Sequence, residues 1–193
     1  NNGTSPWELW VDEFGEWFEV YNTSTMSIDL NGLFLGSDGQ SGETLSVCLG
    51  IEPGDYLVFT ANDDASVNGG VTSDYDYNRS KLQMSNSSDT LSVESGSNVI
   101  DEVAWTSNTA LGQSAGVAAQ VHTNSLTAQL NDYESIWCGA DSLLSSGDYG
   151  TPGSANSLCG ESIDTSVQSI FNTHCTSCHS GSSPSLGLDL SSG

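Results

Sequence analysis

Basic side chains are nearly missing from this chain. Arg79 and Lys81 are the only 2 in 193 residues, they face 25 Asp and Glu, and the formal net charge is −23. A surface of that sign repels phosphate backbones and has no basic patch for anionic lipid, which excludes nucleic-acid binding and that mode of membrane docking. Long apolar runs are missing too: no stretch of about 18 apolar residues occurs, so no helical bilayer span is expected. No G-x-S-x-G elbow frames a serine, and no catalytic pair stands out among the scattered acids, so no enzyme is expected. No leader of basic then apolar residues opens the sequence, and Asn1 is compatible with a mature N-terminus left by cleavage. Before residue 160 there is no helical period of any length and no βαβ alternation. An acidic, Ser/Asn/Gly-rich exterior suits secretion, high salt or divalent-cation binding.

What is present up to about Thr123 is the pattern of short strands. Apolar runs at Trp7–Val11, Glu16–Tyr21, Leu33–Leu35, Thr44–Leu49, Asp55–Thr60, Thr72–Tyr77, Thr90–Val93 and Val99–Trp105 alternate with turn residues. Asn31-Gly32, Asp38-Gly39, Pro53-Gly54, Asn68-Gly69-Gly70 and Ser95-Gly96 punctuate them. The dense aromatic and β-branched content of Glu16–Tyr21 and Asp55–Phe59 predicts central strands. Short strands at this spacing predict a β-sandwich. Residues 106–158 are less regular, with Trp137 and Leu143-Leu144 expected as core plugs.

Cysteine usage points to an oxidising compartment: there are 5. Cys138 and Cys159 bracket the irregular loop, and a disulfide between them is expected to stabilise it by about 3 kcal/mol on a loop-entropy argument. Cys48, in the strand-like run Thr44–Leu49, is then expected to be a buried free thiol, an inter-subunit bridge being the alternative.

The remaining two lie in Cys175-Thr176-Ser177-Cys178-His179, the C-x-x-C-H signature of covalent haem attachment. Two thiols add across the haem vinyl groups, and the adjacent imidazole becomes the proximal iron ligand. A zinc site would need a second ligand pair, and Cys48, Cys138 and Cys159 show no such spacing. A chance pentapeptide closed by a local disulfide is the bland alternative. Upstream, Thr165-x-x-Gln168 fits a capping box, and Val167, Ile170, Phe171 and His174 fall on one face of a helix of about three turns. Cys175, Cys178, His179, Phe171 and Ile170 are therefore the expected haem-binding residues, with His179 proximal. For the distal ligand the candidates are His122 or His174, then Met26 and Met84. Each has an ordinary alternative: a capped or surface histidine, or a packed methionine.

Two resemblances carry these patterns further. Gly15–Asn22, then Asp29–Leu33, Pro53–Phe59, Leu82–Asn86, Asp89-Thr90-Leu91 and Val99–Val103, occur in the order of a lamin-tail domain, an immunoglobulin-like sandwich. Asn131-Asp132, Trp137-Cys138 and Gly150–Asn156 are similar to the close of bacterial secreted members. The resemblance runs over residues 7–159, and it implies a binding, structural or anchoring module without catalysis. Val167–Phe171 and His174–Gly181 resemble the first helix and haem motif of c-type cytochrome domains, and Ser182–Leu190 is similar to the segment after the haem motif in those domains.

The expected architecture is therefore all-β: an immunoglobulin-like β-sandwich over 1–159, with a short C-terminal helix and haem-attachment tail over 160–193. Units below about 40 residues usually need a staple or a partner. Two readings stay open: a cytochrome domain that continues further, or a haem buried against the sandwich or a neighbouring subunit. Head-to-tail repetition of the second contact would give a filament. The expected function is extracellular electron transfer by one covalent haem c, at or outside the cell surface, with a redox partner protein or extracellular acceptor. A structural or adhesive surface module is the alternative. Asn62-Asp63-Asp64 with Asn68, and Asp74 with Asp76, are oxygen-rich loops for which calcium is weighed against solvated turns. The sequons at Asn2, Asn22, Asn78 and Asn86 are expected to mark surface.

Overall fold

A computed structural model describes residues 12–106, 116–123, 126–157, 159 and 174. The chain divides into two compact units, Asn1–Cys159 and Gly160–Gly193, and every element below belongs to the first. The expected strand Trp7–Val11 and the expected helix over 165–174, His174 excepted, lie outside the described residues.

A single helical turn, α1 (Asp12–Gly15), leads into β1 (Trp17–Tyr21). β1 runs antiparallel to β6 (Tyr56–Thr60), pairing Phe18 with Phe59 and Val20 with Leu57. Because side chains alternate across a strand, those four share one face, and Phe18 and Phe59 stack with ring centroids 4.9 Å apart. Trp17, Glu19 and Tyr21 take the other face. β7 (Tyr75–Asp76) completes this sheet in parallel with β6, giving the order β1-β6-β7. Thus β6 is central, as its Leu57–Thr60 burial requires, whereas β1 has one strand neighbour among the described residues, contrary to its expected central place.

The second sheet has the order β4-β3-β8-β9, with β3 (Phe34–Ser37), β4 (Glu43–Thr44), β8 (Ser88–Ser95) and β9 (Asn98–Thr106). A two-residue connection, Gly96-Ser97, joins the β8 and β9 partners Ser95 and Asn98. Gly96 at φ +61° supplies the left-handed backbone that such a hairpin needs. A small pair, β2 (Ile28–Asp29) with β5 (Gly50–Ile51), closes one end. The core between the sheets holds Leu35, Leu57, Phe59, Tyr77 and Leu82, with Leu30, Leu45 and Ile51 from the flanking segments.

The run Thr44–Leu49 does not form one strand. It breaks after β4, a bend falls at Val47, and pairing resumes only in β5. Leu45 takes the core position and Cys48 is left exposed as a free thiol, which corrects its expected burial. Asn22 is also inside rather than on the surface: its amide donates to the Met26 and Ile51 carbonyls at 2.8 and 3.1 Å. Asn78 and Asn86 are exposed.

Residues 116–157 cover the outer face of the β1–β6 sheet. β10 (Ala119–Val121) and β11 (Trp137–Gly139) form an antiparallel pair. The Ala118 N–H donates to the Tyr149 carbonyl at 2.9 Å, and the Gly150 N–H to that of Ser142 at 2.9 Å, binding the following turns to this pair. Gly150 lies so close to the Trp17 ring that an added Cβ would stand 3.0 Å from it, and the Gly153 N–H donates to Glu19 at 3.1 Å. Of the expected plugs, Trp137 is half-buried with its indole N–H on the Asn131 carbonyl at 2.7 Å. Leu143 is 67% exposed, so in that pair only Leu144 turns inward.

Candidate functional site

Cys175, Cys178, His179, Ile170 and Phe171 lie outside the described residues. What the structure places are the flanking candidates. Cys138 and Cys159 form a disulfide, with Cα atoms 5.6 Å apart. It fastens Cys159, the last residue of the first unit, to β11. His122 follows β10, half-buried, its main-chain N–H donating to the Ile136 carbonyl at 2.9 Å. Gln120, two residues earlier, is the register partner of Cys138, so His122 and the disulfide share the β10–β11 pair. His174 and Met26 are exposed, and Met84 packs on the core. His122, Met26 and Met84 belong to the first unit and His174 to the second.

The oxygen-rich loops are occupied by their own backbone. Asn62 Oδ1 accepts the Asp64 N–H at 2.8 Å, Asp64 Oδ1 accepts the Ser66 N–H and hydroxyl, and Asn68 Oδ1 accepts from Gly70 and Val71. Those bonds hold Asp64 below the ordinary carboxylate range, the Ser66 hydroxyl first. Asp74 Oδ2 accepts the Val58 N–H at 2.8 Å. Asp76 is pushed up, chiefly by burial and then by Asp63 and Glu43 nearby. Among the described residues no group of three or more His, Cys, Asp and Glu side chains converges as a metal shell would.

A groove of about 910 Å3 opens where the 116–157 cover meets the sandwich. Trp17, Glu19, Tyr21 and Tyr56 line one wall, Val103 and Trp105 of β9 another, and Trp137 of β11 belongs to the cover. Across it, the Asn131 amide donates to both Asp101 oxygens at 3.0 and 2.9 Å, tying the cover to β9. Burial pushes the Asp101 carboxyl up despite that bond. Glu19 is the most displaced acid: burial raises it from 4.5 to about 7, against the lowering pull of the Gly153 N–H. Tyr21 and Tyr56 face each other with ring centroids 4.6 Å apart. Sequence reasoning missed this group, although an acid placed alternately between Trp17 and Tyr21 is a signal that it shares their face.

Two main sheets packed over one core, β1-β6-β7 and β4-β3-β8-β9, define the protein as an immunoglobulin-like β-sandwich. The family model of the Lamin Tail Domain matches residues 1–107, more than half of the 193, and the chain belongs to that family. The match ends one residue after β9, short of residue 159, so the cover of residues 116–157 lies outside it. No curated protein matches the chain. No helix among the described residues is long and apolar enough to cross a membrane.

Proposed function

We propose that the chain is an extracellular electron-transfer protein in which a lamin-tail sandwich carries one covalent haem c on Cys175 and Cys178. One observation carries this reading: the sequence Cys175-Thr176-Ser177-Cys178-His179. Two thiols and an imidazole are the donor set that haem attachment requires, and when bound the iron supplies one-electron redox chemistry. His179 would be the proximal ligand, His122 or His174 the distal one, and Ile170 and Phe171 would pack on the ring. The Cys138–Cys159 disulfide supports the oxidising, extracellular setting. Apolar cover within residues 160–193 is thin: Val167, Ile170, Phe171, Leu186, Leu188 and Leu190. In this reading the rest of the cover comes from further chain, from the sandwich or from a neighbouring subunit; in the last case haems lie at subunit contacts and a head-to-tail array conducts along its length. No catalytic step belongs to this reading.

Membership of the Lamin Tail Domain family favours a second reading, a structural or adhesive surface module in which the sandwich does the binding. Intact mass of the secreted chain and of Cys175→Ala separates the two. Electron transfer predicts a haem adduct on the first and its loss from the second, together with loss of any filaments. An adduct-free chain leaves the structural module standing, and filaments that persist without haem exclude haem as the assembly contact.

A further inference from the structure

Glu19 is not among the residues proposed to hold haem, and its setting is specific. The carboxyl is half-buried and accepts the Gly153 N–H at 3.1 Å. Among the described residues neither basic side chain pairs with it, and Arg79 pairs instead with Glu16 at 3.5 Å. On the same sheet face stand Tyr21 and its register partner Tyr56, their planes tilted by 36°, and Trp17, two residues before Glu19. All four line the groove. Aromatic faces carry the negative part of the ring quadrupole, and a half-buried carboxylate beside them adds a full charge.

The lining excludes other ligand classes. Among the described residues it has no Lys or Arg, so an anion finds no opposite charge there and meets the Glu19, Asp101 and Asp148 carboxyls instead. A purely apolar ligand would leave the Glu19 carboxyl unrelieved, and calcium or magnesium would need several converging oxygens where Glu19 offers one carboxylate. The net charge of −23 concentrates cations at the surface. We propose that this groove binds a small organic ammonium ion, seated on Tyr21, Tyr56 and Trp17 with Glu19 as its counter-charge.

Binding then favours the ionised carboxylate, so affinity rises with pH through the range near 7 in which the empty site titrates. The other titratable groups lining the groove are Tyr21, Tyr56, Tyr149, Glu16, Asp101 and Asp148, and the Gly153 turn brings no charge. Tyr56 is pushed up by burial, then by Tyr21 and Glu19, and Asp101 is raised by burial. Asp101 makes Glu19→Gln the necessary control for the pH profile.

The test is a proton NMR titration of the full chain with choline, at constant ionic strength so that general attraction to an acidic surface is screened. The reference probe is the neutral alcohol in which carbon replaces the choline nitrogen. A saturable upfield shift of the choline methyl signal is expected, with none for the alcohol. Glu19→Gln, which keeps an oxygen for the Gly153 N–H, is expected to weaken choline about tenfold or more. Lowering the pH from about 8 to about 5.5 is expected to weaken the unmodified protein similarly and leave the variant unchanged. Tyr56→Leu keeps the charge and is expected to diminish the upfield shift. The proposal is overturned by no saturable shift at about pH 8, by equal binding of the alcohol, or by undiminished choline affinity in Glu19→Gln. Should that variant not fold, the alcohol comparison, Tyr56→Leu and the pH profile of the unmodified protein decide.

Discussion

Glu19 contributes to how stability depends on pH. Its folded value of about 7 lies above the ordinary 4.5, so between these values the folded chain holds more protons than the unfolded one. Stability from this group therefore falls as pH rises through that window; the penalty is absent below about 4.5 and complete above about 7. A shift of that size corresponds to a penalty on the order of 3 kcal/mol. With no cation added, Glu19→Gln is expected to be the more stable protein at about pH 8, by a comparable amount, and equal to the unmodified chain near pH 4, as read by urea unfolding at each pH. Asp89 is the opposite kind of buried acid. It accepts the Asp38 N–H at 2.8 Å, the Ser85 N–H at 2.8 Å and the Ser37 hydroxyl at 3.1 Å, joining the end of β3 to the start of β8. Asp89→Ala orphans these donors and is expected to cost about 3 kcal/mol in the same measurement, with Asp89→Asn losing less. Neither role is legible in the sequence. Glu19 depends on Gly153, 134 positions away, and Asp89 on donors from two other segments.

Among the elements, legibility follows the range of the interactions. β6, β8 and β9 are readable because strand content and turn residues such as Ser95-Gly96 are local signals. β8 and β9 extend beyond the expected runs because cross-strand pairing from Ser88 to Thr106 carries weaker strand formers with it. β4 and β5 merge in the sequence because Leu45, Val47 and Leu49 alternate like a strand, while only Leu45 is fully taken into the core. β10 and β11 could not be paired from sequence, since an irregular stretch separates partners such as Val121 and Trp137. The disulfide holds this pair to Cys159 across 21 residues. Its reduction, or Cys138→Ser with Cys159→Ser, is expected to cost about 3 kcal/mol. Protection of the β10 and β11 amides in hydrogen exchange is expected to fall while that of β6 is kept, and equal loss in both would show that the cover and sandwich open together.

For the whole molecule, the family match and the proposed haem attachment sit in different places. The Lamin Tail Domain spans residues 1–107, the cover comes after it, and the haem signature stands in the second compact unit, Gly160–Gly193. The proposed attachment site is readable in the sequence because it needs only three residues of two types, two Cys and one His, at fixed spacing. The distal ligand is not, because iron coordination depends on how remote segments meet. The proposed electron transfer stands or falls with the porphyrin, and the most direct measurement is the pyridine haemochrome spectrum of the purified full chain after denaturation and organic extraction. The account predicts a haem c spectrum that stays with the polypeptide, one haem per chain. A colourless polypeptide whose Cys175 and Cys178 are oxidised to each other would contradict it.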